Sequence, residues 1–195
     1  MPKISLGAGA LLSPVPPTIV SCGTLEDPKA LTIAWTGIVN TKPPMTYISV
    51  RPERNSYPII KETGNFVINL ASTSLTKAVD YCGVKSGAKV DKFKEMHLTA
   101  VPSLNVSAPS IEECPVSIEC VVREIMSLGS HDMFLAEIVG ITADEEICDE
   151  NGKFDFRKAD LLAYMHGEYF GLGKKYGSFG YSVRKKPKKK PHKKK

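Results

Sequence analysis

ALTIAWTGIVNTKPPMTYISVRPERNSYPIIKETGNFVINL, from Ala30 to Leu70, is the stretch whose reading decides the fold. Its apolar runs are short, and each ends in small, polar or cationic residues. Leu31–Trp35 and Thr46–Val50 carry the β-branched, alternating pattern of strands, and Pro43-Pro44 stops any helix before the second of them. Asn55 or Ser56 caps a short helix, with Pro58 tolerated in its first turn and Gly64 placed to close it. Asn65–Leu70 reads as a strand again. The predicted order is therefore strand, Pro-Pro corner, strand, Arg-rich turn, short helix, strand.

Working outward, Thr18–Cys22 reads as an earlier strand. Ser74 is placed to cap a second helix through Tyr81, with Gly83 just beyond its end. Val116–Leu128 and Met133–Thr142 read as two long strands joined by the hairpin signature Gly129-Ser130-His131-Asp132. Arg157–Leu162 suggests a helical turn, and the aromatic, glycine-rich YMHGEYFGLGKKYG beyond it reads as strand or loop. Many strands in Greek-key-like succession with a few short helices predict a mainly β chain folded as a barrel. No internal repeat interrupts that reading.

Composition narrows the classes. A chain of 195 residues suits one domain with a substantial core, here expected over residues 1–180. No apolar run reaches the roughly 20 residues of a membrane-spanning helix. The Gly- and Pro-broken N-terminus reads as an entry strand or arm rather than a signal peptide. The tail Arg184–Lys195 holds nine of the 26 Lys and Arg and no acid, so a net charge of +5 becomes −4 without it. The basic balance belongs to the tail, and residues 181–195 are expected to be disordered. Five cysteines without a CxxC pair fit reduced thiols in a cytoplasm and offer no metal-ligand spacing. Cys114 and Cys120, evenly separated, would share a face of a continuous strand. No GxGxxG opens a helix, and there is no P-loop, HExxH or GxSxG, so hydrolase, metal and doubly wound dinucleotide readings have no residues to stand on.

Two clusters carry chemistry. Arg51 and Arg54 follow a strand, and Asn55-Ser56 open a helix whose free N–H groups favour an anion. The alternative is that these arginines are solvated and pair with Glu53 and Glu62. Trp35, the only tryptophan, ends a strand and precedes Thr36-Gly37, where backbone can approach a planar ligand; otherwise it plugs a core or an interface.

These segments together resemble the flavin-reductase-like family of FMN-binding split barrels. Ser86–Phe93, SGAKVDKF, is similar to the family's Ser-Gly-x-x-x-Asp-Lys-Phe segment. Gly129-Ser130-His131-Asp132 resembles its Gly-Asp-His hairpin, with Ser130 where Asp is usual. The resemblance covers roughly Ser13 to Gly173 and implies a Greek-key split β-barrel holding FMN across its strand ends. It implies phosphate contacts from Arg51, Arg54, Asn55 and Ser56, and ring contacts from Trp35 flanked by Thr32, Ala34 and Thr36. It also implies that Lys92 points toward the cofactor, that Asn69 ends the equivalent strand beside it, and that His131 lies near the ring or a nicotinamide. His166 is expected to line the same pocket from the C-terminal aromatic segment. The implied activity is electron transfer from NAD(P)H through bound FMN to a flavin, ferric or protein acceptor, in a homodimer. A non-enzymatic flavoredoxin-type carrier, its basic tail docking an acidic redox protein, is the alternative. A flavin-free barrel using the tail on nucleic acid is a third.

Overall fold

β-Branched residues bounded by Gly and Pro form strands through most of the chain, and a computed structural model describes residues 1–184. The expected tail, except for Arg184, lies outside the described residues; Tyr181–Val183, assigned to it from sequence, form a 3₁₀ turn. β1 (Thr18–Gly23), β2 (Pro28–Ile33), β3 (Thr36–Thr41), β4 (Pro44–Val50) and β5 (Asn65–Leu70) come from the N-terminal half. β6 (Ala100–Val101) and β7 (Ser110–Ile111) form a small ladder, followed by the long pair β8 (Val116–Ser127) and β9 (Asp132–Ala143) and the hairpin of β10 (Leu162–Met165) with β11 (Glu168–Gly171). Three helices decorate them: α1 (Ser56–Thr63), α2 (Thr76–Val84) and α3 (Lys92–Met96). Among the described residues no helix is long and apolar enough to cross a membrane.

Seven strands make one antiparallel sheet in the order β2-β1-β5-β8-β9-β4-β3. Its two outermost strands, β2 and β3, are consecutive in the chain and separated only by Ala34-Trp35. Two residues span little more than ten ångströms between flanking Cα atoms, so the sheet must curl until its ends meet. No ladder joins those ends, and the chain itself bridges the gap. This is the split of a split barrel, and it lies at Ala34-Trp35.

Alternation fills the barrel. Ile48 and Val50 of β4 and Phe134 and Ala136 of β9 point inward with Val20, Phe66 and Ile68. β1 is buried on both faces: Val20 and Cys22 face the barrel, while Ile19 faces a second core under α2 and α3 with Val79, Phe93 and Ile111. Full burial of one such side chain contributes about 1.5–3 kcal/mol, so a doubly covered β1 anchors both layers.

Several local expectations are corrected. β2 ends at Ile33, not Trp35, because the next two residues turn the chain away from β1; β3, whose Ile38 and Val39 are both exposed, has no alternation to reveal it. Ser74 does not cap α2 directly: Thr73–Leu75 make a 3₁₀ turn and the Ser74 hydroxyl meets Ser72 at 2.8 Å. Gly83 lies inside α2 rather than beyond it. Residues 157–160 form a turn, after which Leu162 already begins β10. Cys114 precedes β8 and packs in the second core, whereas Cys120 sits in the barrel, so they share no strand face. All five thiols are free. Burial pushes Cys22 and Cys82 up to about 11 and Cys120 to about 12, which leaves them unreactive.

Candidate functional site

The split opens into a cleft of about 480 Å³, within the range of small-molecule sites. One wall comes from the β2 end and the connector: Thr32, Ala34 and Trp35 line it. His131, carried on the β8–β9 hairpin, lies against Trp35 with ring centroids 4.7 Å apart and planes tilted by 38°. The indole remains 44% exposed, so it is a wall and not a core plug. A second wall is the β10–β11 hairpin, where Tyr164 and Tyr169 pack at 5.3 Å and the Tyr169 hydroxyl donates to Asp80 of α2 at 3.2 Å.

Arg51 and Arg54 close the third side and also line a second cavity of about 330 Å³, so the two cavities adjoin at these arginines. Neither arginine is paired with Glu53 or Glu62; the three ion pairs among the described residues lie elsewhere. The Arg54 guanidinium donates to the Gly83 carbonyl at 2.8 Å and keeps its other donors. Asn55 and Ser56, at the start of α1, line the second cavity with Lys92. The first N–H groups of α1 lack intrahelical acceptors and carry its positive end.

The geometry explains why these residues hold their places. Lys92 is 6% exposed, and its ammonium donates to the Ala30 and Cys82 carbonyls at 2.7 Å each. Burial pushes its pKa down, yet an ammonium has three donors, and the third remains for the cavity it lines. Gly83 lets α2 approach β2 closely, since a Cβ there would lie 3.3 Å from the Thr32 Cβ. Asn55 does not cap α1; its backbone is helical, and its amide turns toward Gly87 instead. Ser56 is buried. Gly64 terminates α1 as expected, with φ 66° and its N–H on Ile60.

Behind His131, Asp132 accepts from the Tyr57 hydroxyl at 2.5 Å and from Ser127 at 2.8 Å. Those bonds hold its carboxyl below the usual range and pin the hairpin to α1. His131 itself is shifted down by burial and by Arg51, so its neutral imidazole is favoured. Its Nδ1 lies 3.0 Å from the Ser130 hydroxyl, the position where an Asp was the usual residue.

Residues 11–173 match the family described as Flavin reductase like domain. The chain belongs to that family. An uncharacterized protein of Pyrococcus abyssi is 31% identical over 160 residues, covering 82% of this chain and 91% of that one. A flavoredoxin of Desulfovibrio vulgaris (Miyazaki F) superposes with a TM-score of 0.86 at 31% identity, covering 93% of this chain and 100% of that one. An FMN-binding protein from Thermus thermophilus has a TM-score of 0.77, covering 90% and 99%; at 21% identity it shows the shared fold alone.

The cleft of this flavin-reductase-like chain fits a flavin on its own terms. Its cationic end suits a phosphate, and its Trp35–His131 wall suits a planar ring. Thr32, Ala34, Trp35, Arg51, Arg54 and His131 line the larger cavity, and Asn55, Ser56 and Lys92 the smaller. Three sequence-expected residues lie outside both. Thr36 is just past the wall and donates to the Tyr47 carbonyl. Asn69 is fully buried, donating to the Ile19 carbonyl and Ser21 and accepting from Ile111 and Ser117, so it ties β1, β5, β7 and β8 together. His166 is an exposed turn residue with φ 52°. From that segment Tyr164 and Tyr169 line the cleft, and they pair across the hairpin in register.

Proposed function

We propose that the chain is an FMN-dependent oxidoreductase that draws electrons from NADH or NADPH and hands them to a second acceptor. The observation that supports this most is the pair of adjoining cavities that run from Trp35 and His131 past the unpaired arginines to the third donor of Lys92. A single cationic end, at Arg51, Arg54 and Lys92, favours a mononucleotide. FMN supplies two-electron acceptance and release when bound; hard redox chemistry belongs to the cofactor, and the protein orients and tunes. Arg51, Arg54, Asn55, Ser56 and Lys92 would hold the phosphate end. Trp35 and His131 would flank the ring, and the same cations favour negative charge developing near them. Neutral His131 is able to accept a proton from, or return one to, a ring-edge atom. A cytoplasmic setting is the reading that five free thiols support.

The test is an anaerobic visible spectrum of protein reconstituted with FMN. Rapid bleaching on adding NADH or NADPH is expected; no flavin uptake would overturn the proposal. A carrier is the second reading, favoured by the 31% identity to a flavoredoxin along that protein's whole length and by a tail charged to suit an acidic redox partner. Bleaching by dithionite but not by nicotinamide would select it. The exposed Ile38 and Val39 of edge strand β3 support a homodimer in either case.

A further inference from the structure

The wall formed by Ala34 and Trp35 has two sides. Behind it lies a separate chamber of about 420 Å³, sharing Ala34, Trp35 and Ser49 with the cleft. Leu11, Leu12 and Val15 of the N-terminal arm line its open rim with Leu128 and Met133 of the β8–β9 hairpin. The arm is held in place: the Val15 N–H donates to the Tyr164 carbonyl at 2.9 Å, and Tyr164 returns a bond to Val15 at 2.8 Å. The strand that walls the cleft therefore also anchors the chamber.

The two spaces differ in chemistry. The cleft has Arg51, Arg54, Asp80 and His131 on its surface, whereas the chamber has no charged side chain. Its polar groups are few. The Thr36 hydroxyl is engaged by the Tyr47 carbonyl at 2.6 Å, while the Tyr47 hydroxyl and Ser49 Oγ make no hydrogen bond among the described residues. A phosphate or carboxylate placed there would lose its hydration with no cation to replace it. That disfavours a second flavin nucleotide or a ferric carboxylate chelate as the occupant. The lining instead suits an uncharged planar ring carrying carbonyl acceptors.

We propose that this chamber is the acceptor site, and that it takes an uncharged one- or two-ring quinone whose carbonyl oxygen accepts from Tyr47 and Ser49. The assignment deepens the oxidoreductase reading and rests on it for its reductant. Two electrons and one proton leave reduced flavin in the cleft, which returns to its oxidised form. A second proton comes from water, and both quinone carbonyls become hydroxyls.

Trp35, the sole tryptophan, reports on the chamber without any flavin present. Flavin-free protein is titrated with duroquinone, whose fully substituted ring cannot add a thiol, and Trp35 fluorescence is followed. Saturable quenching is expected. Leu12→Asp, at an exposed position that folding does not need, is expected to weaken it at least tenfold and leave FMN affinity unchanged. Tyr47→Phe is expected to weaken it about three- to tenfold, as loss of one hydrogen bond does. Quenching that rises linearly without saturation, or that neither variant alters, would overturn the proposal. So would Trp35 emission that shifts with protein concentration and not with quinone, because a second copy of the chain would then fill the chamber. Saturable, variant-sensitive quenching in a protein that takes up no FMN would support the chamber's ligand class while sinking the flavin reading.

Discussion

Arg51 shows how a single exposed side chain can matter for binding and be idle for folding. It is exposed and makes no ion pair among the described residues, so its removal leaves the free protein's contacts intact. Arg51→Ala is expected to lower FMN affinity about 10- to 100-fold, the cost of one or two charge-assisted hydrogen bonds, with little change in Tm. Isothermal titration beside a thermal melt checks both halves. His131 offers a pH handle. Burial first, and Arg51 second, lower its pKa from the ordinary value of about 6.5. The folded protein thus binds this proton less tightly than the unfolded chain, so His131 costs stability as pH falls below about 6.5 and nothing above it. NMR titration of the imidazole should give a midpoint below that value, and Arg51→Ala should raise it. That Arg51, Trp35 and His131 line one cleft was legible from their places at strand ends and in a hairpin turn. The core bonding of Asn69 was not legible: an Asn with five partners in the core looks, as a letter in a strand, like any ligand-facing amide.

Contacts between elements decide whether those residues meet. α2 reaches β2 because Gly83 has no Cβ, and the same glycine's carbonyl steadies Arg54. Gly83→Val is expected to push α2 off Thr32, destabilise the fold by about 1–3 kcal/mol and weaken FMN binding together with it, both measurable on one sample by melting with and without FMN. The Tyr57–Asp132 bond ties α1 to the hairpin that bears His131. Asp132 is held below its ordinary range by Tyr57 and then Ser127, so this contribution is present above about pH 4 and is lost as pH falls through the folded value. The Tm gap between the wild type and Tyr57→Phe should accordingly be largest near neutrality and shrink on acidification. Alternation exposed β4 in the sequence, and the hairpin signature Gly129-Ser130-His131-Asp132 exposed β8 and β9. Alternation could not expose β3, where Ile38 and Val39 are adjacent and both face outward, nor place Gly83, whose job is a tertiary approach invisible in local pattern.

For the whole molecule, the exposed edge of β3 is the feature that an isolated chain has least reason to keep. Ile38 is 66% and Val39 50% exposed on a strand with one free side. In the homodimer reading this edge is covered, so Ile38→Lys is expected to yield monomers by sedimentation velocity while the barrel still melts cooperatively. Retention of a dimer would place the interface elsewhere. The overall architecture was readable because a Greek-key barrel needs its turns and its alternating runs in one order, and residues 30–70 supply that order in miniature. The cleft's far wall was only half readable, as the aromatic segment announced Tyr164 and Tyr169 without saying which residues of the hairpin face inward.

The two-residue link Ala34-Trp35 acts as a gauge. Every other connection in the ring crosses a ladder that fixes its neighbours, but here the two sheet ends are held by this short link, by the Ser49 N–H bond to the Trp35 carbonyl at 3.0 Å, and by the packing of Leu31 and Ile33 with Ile48 and Val50. Each residue inserted would add at most about 3.3–3.6 Å of slack and relax the opening. Loop-length libraries at this one peptide thereby provide a route to wider ligands that mutations of the walls do not.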